Sequence, residues 1–161
     1  MEKNLLHSDE ILDVAVELEQ EGLAFYQACL KASPGPQIAP VFRHLIDQEQ
    51  RHVRIFSQMK ETLRTKGAPS AYSEEVRSHA ERLMGSFAFG GTKEALSIAS
   101  EIIDALEALD LALTLERKSI VLYSGLKQFM PSTEVKIIEN VISEEHDHIR
   151  RLMELLTALE S

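Results

Sequence analysis

Tryptophan is absent from this 161-residue chain, and there is one cysteine, Cys29. A single cysteine can form neither an internal disulfide nor a CxxC metal knuckle, so its simplest reading is a small residue buried on a helix. Glycine and proline are also scarce, at 7 and 5 residues, which disfavours a turn-rich sheet protein. No run reaches about 18 apolar residues, and the start MEKNLLHSDE has no apolar signal core. Neither a membrane span nor a secretory leader is expected, and the reading is a soluble, cytoplasmic protein. Basic charge is outnumbered, 17 Lys and Arg against 26 Asp and Glu, for a net charge of −9. That balance argues against nucleic acid or an anionic membrane as partner, and suits attraction of cations.

What remains is rich in Leu, Ala, Glu and Ile, the composition of an all-helical domain, and long enough to bury about two-thirds of its unfolded surface. Within it, residues 138–152 place charge where a helix should place apolar side chains. At helical spacing from Glu145 the neighbours are Ile138, Val141, Ile142, Ile149 and Leu152, with His148 one turn on. An ionised carboxylate buried without a partner costs several kcal/mol, so it is normally neutralised, paired with a cation or bound to a metal.

The anomaly recurs three times. Glu19 lies among Leu12, Ala15, Leu23 and Tyr26; Glu49 among Phe42, Leu45, Val53 and Phe56; Glu116 among Leu109, Ala112, Ile120 and Tyr123. Glu49 and Glu145 each have a histidine three residues later, His52 and His148. Glu19 and Glu116 each have a tyrosine seven residues later, Tyr26 and Tyr123.

The chain divides accordingly. A first helix is predicted from just after Ser8 to Lys31, ended by Ser33, Pro34, Gly35 and Pro36. A second runs from near Pro40 to Arg64, before Gly67 and Pro69. A short helix from about Ser73 to Met84 falls in a crossover that closes at Gly90 and Gly91. A third helix follows Thr92 and reaches Gln128, with a bend near residues 97–100, and a fourth runs from beyond Pro131 to about Leu159. The expected architecture is one domain over residues 1–161, with hairpin 8–64, crossover 65–92 and hairpin 93–160. Sliding the second half back by about 97 residues superposes Glu116 on Glu19 and Tyr123 on Tyr26. With one residue removed at the turn, Glu145 and His148 fall on Glu49 and His52, as in a duplication.

Register gives the pattern its weight. In an antiparallel hairpin, residues equally distant from the turn face each other. Glu19 and Glu116 lie about 15 residues before their turns, and the Glu49/His52 and Glu145/His148 pairs about 15 to 16 after them. All six can meet at one height, roughly 22 Å from either turn at about 1.5 Å per residue. On one helix, a solvated edge glutamate and a satisfied core histidine would be the better reading; four helices in register favour a metal site. Two divalent cations would cancel four carboxylate charges, and mixed oxygen and nitrogen ligation suits iron or manganese, with zinc possible.

The strings ELEQEGLAFY, TLERKSIVLY, DQEQRH and SEEHDH resemble the four helices of the rubrerythrin-like branch of the ferritin-like di-iron carboxylate superfamily. The resemblance implies a ferritin-like four-helix bundle of two antiparallel hairpins joined by a long crossover. It implies that Glu49 and Glu145 bridge two iron ions, that Glu19 and His52 complete one position, and that Glu116 and His148 complete the other. Tyr26, Tyr123 and Glu144 would be hydrogen-bonding groups behind the ligands.

There are departures. Rubrerythrins proper carry a further Glu three residues after the third-helix ligand, where this chain has Ser119, and a rubredoxin domain with paired CxxC motifs, which one cysteine cannot supply. Gln50 stands where a haem-binding Met follows the second-helix Glu in bacterioferritins, so no haem is expected. Storage cages add a fifth helix, and here only about 13 residues follow His148, so a storage cage is not expected. The function implied is oxidation of Fe(II) by dioxygen or hydrogen peroxide, with a separate electron-donor protein and a homodimer as expected partners. The alternative is a non-catalytic bundle that binds or buffers zinc, manganese or iron.

Overall fold

A computed structural model describes residues 8–32, 35–65, 92–102 and 104–161. These form α1 (Ser8–Lys31), α2 (Ala39–Thr65), α3 (Thr92–Ser100), α4 (Ala105–Leu126) and α5 (Ser132–Glu160), with a 3-10 turn at Lys127–Phe129. The described residues contain no strand. The expected short helix near Ser73 lies outside them, as does most of the crossover.

Each hairpin is closed by local chemistry. Gly35 sits at φ 103°, in the left-handed region that a side chain disfavours, and its carbonyl accepts the Ala39 N–H at 3.1 Å to start α2. The second turn tightens through the 3-10 segment, and Pro131 then supplies the carbonyl that accepts from Glu134 N–H at 2.9 Å.

The third predicted helix is two helices. The expected bend near residues 97–100 is a full break, because the chain is extended at Asp104 (φ −145°, ψ 171°) and its carboxylate accepts the Glu107 N–H at 2.9 Å as an N-cap. Ahead of the break, Ser100 Oγ donates to the Ser97 carbonyl at 2.6 Å, a bond that competes with the helix ladder. The Asp-x-x-Glu signal was present in the sequence, but the apolar stripe runs through it.

α1 packs against α2, α3 and α4, and α4 packs against α5. Two apolar clusters result. The first contains Leu12, Leu18, Phe56, Leu63, Leu122 and Ile138. The second contains Phe25, Phe42, Leu45, Leu109, Leu115 and Leu152. Following any of the four long helices, the chain leaves one cluster, passes a short polar section, and joins the other. Those polar sections are Glu19, Glu49 with His52, Glu116, and Glu145 with His148. The fold therefore places the charged residues as a layer between two apolar plugs, where water is excluded and unpaired charge is most costly.

Candidate metal centre

All six residues are at most 1 % exposed. Donor atoms of Glu19, Glu49, His52 and Glu145 lie within 4.8 Å of one another, and so do those of Glu49, Glu116, Glu145 and His148. Glu49 and Glu145 belong to both groups, so the two positions share a pair of carboxylates contributed by opposite hairpins. The His52 and His148 rings stack across the site at 5.8 Å, with 24° between their planes.

The surrounding hydrogen bonds fix these groups. Tyr26 donates to Glu116 at 2.5 Å, and Tyr123 donates to Glu19. The tyrosine on each hairpin thus holds the carboxylate of the other hairpin, a cross-pairing that spacing within one helix could not show. Tyr26 packs on Phe42, and Tyr123 on Phe56, so both rings are themselves wedged in the apolar clusters. His52 Nε2 lies 2.7 Å from Glu144 Oε2, and Glu144 pairs with Arg51. A proton on Nε2 leaves the Nδ1 lone pair facing the cluster. Arg51 was not singled out from the sequence, since a half-exposed Arg on a helix is ordinary until its partner is known.

The inward atoms are differently treated. Glu19 Oε2, Glu49 Oε1, His52 Nδ1 and both Glu145 oxygens are buried without an aligned hydrogen bond. His52 Nδ1 comes within 2.9 Å of Glu145 Oε1 and 3.4 Å of Glu19 Oε2, close enough to repel or share a proton but not directed along N–H. His148 Nδ1 lies 3.3 Å from both Glu116 Oε2 and Glu145 Oε2. Donors that converge without satisfying one another fit a cation, and the set of carboxylates and imidazoles fits a hard or borderline divalent metal. Cys29 sits in an apolar cluster with its thiol pushed up to about 12 by burial, and offers no thiolate.

Without a cation the cluster stores protons. Burial raises Glu49 well above the usual carboxylate range, and the charges of Glu19, Glu116 and Glu145 raise it further. Burial and the adjacent Glu116 charge lift Glu145 to about 8. Burial opposes the imidazolium forms, but Glu19 and Glu145 outweigh it and bring His52 to about 11; the adjacent carboxylates of Glu116 and Glu145 bring His148 to about 10. Glu116 goes the other way: burial raises it, but the neighbouring Glu145 carboxyl, the His148 ring and the Tyr26 hydroxyl hold it below its ordinary value.

Gly22 is the site residue that sequence reading passed over. It is one turn beyond Glu19, and a Cβ there would stand 2.8 Å from Glu49 Oε2 and 3.0 Å from Leu115 Cδ2. The duplication places Ser119 opposite it in the second half, also small and buried, with its hydroxyl donating to the Leu115 carbonyl at 3.2 Å. Gly22→Ala should therefore separate folding from metal binding. The metal-free protein should be as stable or up to about 1 kcal/mol more stable, because Ala is the better helix residue and a flexible carboxylate end can move. Affinity for Co(II), measured by competition with a chelator, should fall by on the order of tenfold, since Glu49 is pushed from its place.

The bundle and its one shared pair of carboxylates define a ferritin-like helical protein with a buried carboxylate–imidazole centre. The chain belongs to the rubrerythrin family, whose profile matches residues 10–156. Its fold is similar to that of a Thermotoga maritima protein described from a 2.30 Å crystal structure as a candidate ferritin-like diiron-carboxylate protein. The two share 28 % identity with a TM-score of 0.70, over 93 % of this chain and 94 % of that one. A search of curated proteins finds no match.

Proposed function

We propose that the chain is a di-iron carboxylate protein that oxidises Fe(II) with hydrogen peroxide or dioxygen. The observation that carries this is the pair of four-residue groups sharing Glu49 and Glu145, with inward-facing donor atoms left without hydrogen bonds. Family membership and the diiron-carboxylate description of the Thermotoga protein support it. Glu19 and His52 would complete one position, and Glu116 and His148 the other.

Two bound Fe(II) ions would supply two electrons, enough with two protons to reduce one peroxide to two waters. The chain's own part is to position and to neutralise. Glu49 and Glu145 belong to both groups and would hold both ions, so that a small oxidant meets two reducing centres together. Tyr26 and Tyr123 keep Glu116 and Glu19 from rotating away, and their hydroxyls are buried among carboxylates that favour the protonated phenol. The apolar clusters on both sides exclude bulk water from the layer. A separate electron donor and a homodimer belong to the same reading.

The test is anaerobic loading with Fe(II), followed by rapid mixing with dioxygen or hydrogen peroxide in separate runs. The expected result is about two irons per chain and a near-ultraviolet charge-transfer absorption that grows on mixing, with the faster oxidant identifying peroxidase or ferroxidase chemistry. Two tightly held ions without any oxidant-dependent change would instead favour the metal-buffering reading. Failure to bind iron, manganese or zinc would overturn both.

A further inference from the structure

The two halves of the site are built on one plan, yet they are not equivalent around the histidines. His52 has its outer nitrogen 2.7 Å from the Glu144 carboxylate, which Arg51 holds in turn. Glu144 is the residue immediately before the shared Glu145; the residue immediately before the shared Glu49 is Gln48, a neutral amide. Gln48 Oε1 accepts from Arg51 at 3.5 Å, so Arg51 ties the two counterparts together while only one of them carries charge. Among the described residues no carboxylate reaches Nε2 of His148, and its ring meets the edge of His44 at 6.2 Å.

We infer that the two metal positions differ in affinity, the Glu19/His52 position holding its ion tightly and the Glu116/His148 position holding an exchangeable one. This rests on the di-iron reading and adds to it an order of filling. A carboxylate behind a ligating histidine fixes the ring and its tautomer and makes the inward nitrogen a better donor, an effect typically of about 10- to 100-fold in metal affinity. Gln48, the counterpart of Glu144 in the other half, carries no charge that could do the same for His148. Glu144 also brings negative charge to one side of the cluster, partly balanced by Arg51. A half-filled state, one ion bound and one position open, is then the expected form at limiting metal.

The experiment titrates Co(II) into the full chain and into Glu144→Gln, with affinities from chelator competition and occupancy from paramagnetically shifted proton resonances. Glu144 is partly exposed, so the variant should keep its helices, which far-ultraviolet circular dichroism checks. With one equivalent of Co(II), the strongly shifted ring N–H in the wild-type protein should belong to His52, that of His148 appearing only with the second equivalent. Glu144→Gln should weaken the first step by about 10- to 100-fold and leave the second within about threefold. Mutual repulsion of two ions also separates binding steps, but it does not choose between the histidines. Simultaneous appearance of both ring signals, His148 filling first, or equal weakening of both steps by Glu144→Gln would overturn the inference while leaving a di-metal protein. Absence of Co(II) binding would remove the di-iron reading as well.

Discussion

Glu145→Ala should lose the metal from both positions at once, falling from about two ions per chain to below about 0.2 after desalting. The reason is geometric. Glu145 contributes to both four-residue groups, and its oxygens lie 2.9 Å from His52 Nδ1 and 3.3 Å from His148 Nδ1. Removing it takes a ligand and a compensating charge from each ion together. Glu19→Ala and Glu116→Ala provide the contrast, since each touches one group only; at saturating metal both should still take up about one ion per chain, and Glu116→Ala, which leaves the tighter position intact, should keep it through desalting. The fold itself should survive Glu145→Ala in the metal-free state. Glu145 makes no aligned hydrogen bond there, and its carboxyl, lifted to about 8, is mostly protonated at neutral pH. Elemental analysis beside circular dichroism makes the measurement. A Glu145→Ala protein that keeps two tightly bound ions would show that the shared carboxylate is not a ligand.

How much of this was legible beforehand depends on whether the signal is local. Glu19, Glu49, Glu116 and Glu145 stand out because each interrupts an apolar stripe, and a helix carries that information in its own sequence. Distance from the turn then placed them at one height, and the structure brings all six residues together there. The break at Asp104 is also written locally, as Asp-x-x-Glu, but it competes with an apolar stripe that continues from Ala99 to Ala108 and that alone predicts no more than a bend. Other features were not local at all. That Tyr26 serves Glu116 and Tyr123 serves Glu19 depends on how the hairpins cross. That a side chain at Gly22 would push Glu49 from its place depends on a carboxylate arriving from α2. Arg51 becomes relevant only when Glu144 is brought to it from the other hairpin. Residues of this kind carry no anomaly in their own helix, so no periodicity or motif marks them.

Metal loading should reverse the sign of the protein's pH dependence. Take the metal-free protein first. His52 and His148 are held at about 11 and about 10 in the folded state, above the ordinary imidazole value, and Glu49 and Glu145 are raised above the ordinary carboxylate value. Each group binds its proton more tightly folded than unfolded. The stability this contributes is present at low pH and drains away as pH rises, through the carboxylates above about 4.5 and through the histidines above about 6.5. Between about pH 5 and 9 the metal-free protein should therefore melt at falling temperatures. Ligation demands the opposite. His52, His148, Glu49 and Glu145 must all give up protons to hold the ions, about two per ion, so apparent affinity rises with pH. Saturation at 1,000 times the dissociation constant adds about 4 kcal/mol per ion, which for a chain of this size raises the melting temperature by roughly 10 °C or more. Thermal unfolding of chelator-treated and zinc-loaded protein at pH 6, 7 and 8 should give curves that diverge as pH rises, and a pH indicator in weak buffer should register the released protons. Parallel curves without proton release would mean that the metal binds elsewhere, because no ion can enter this cluster while its histidines keep their inward protons.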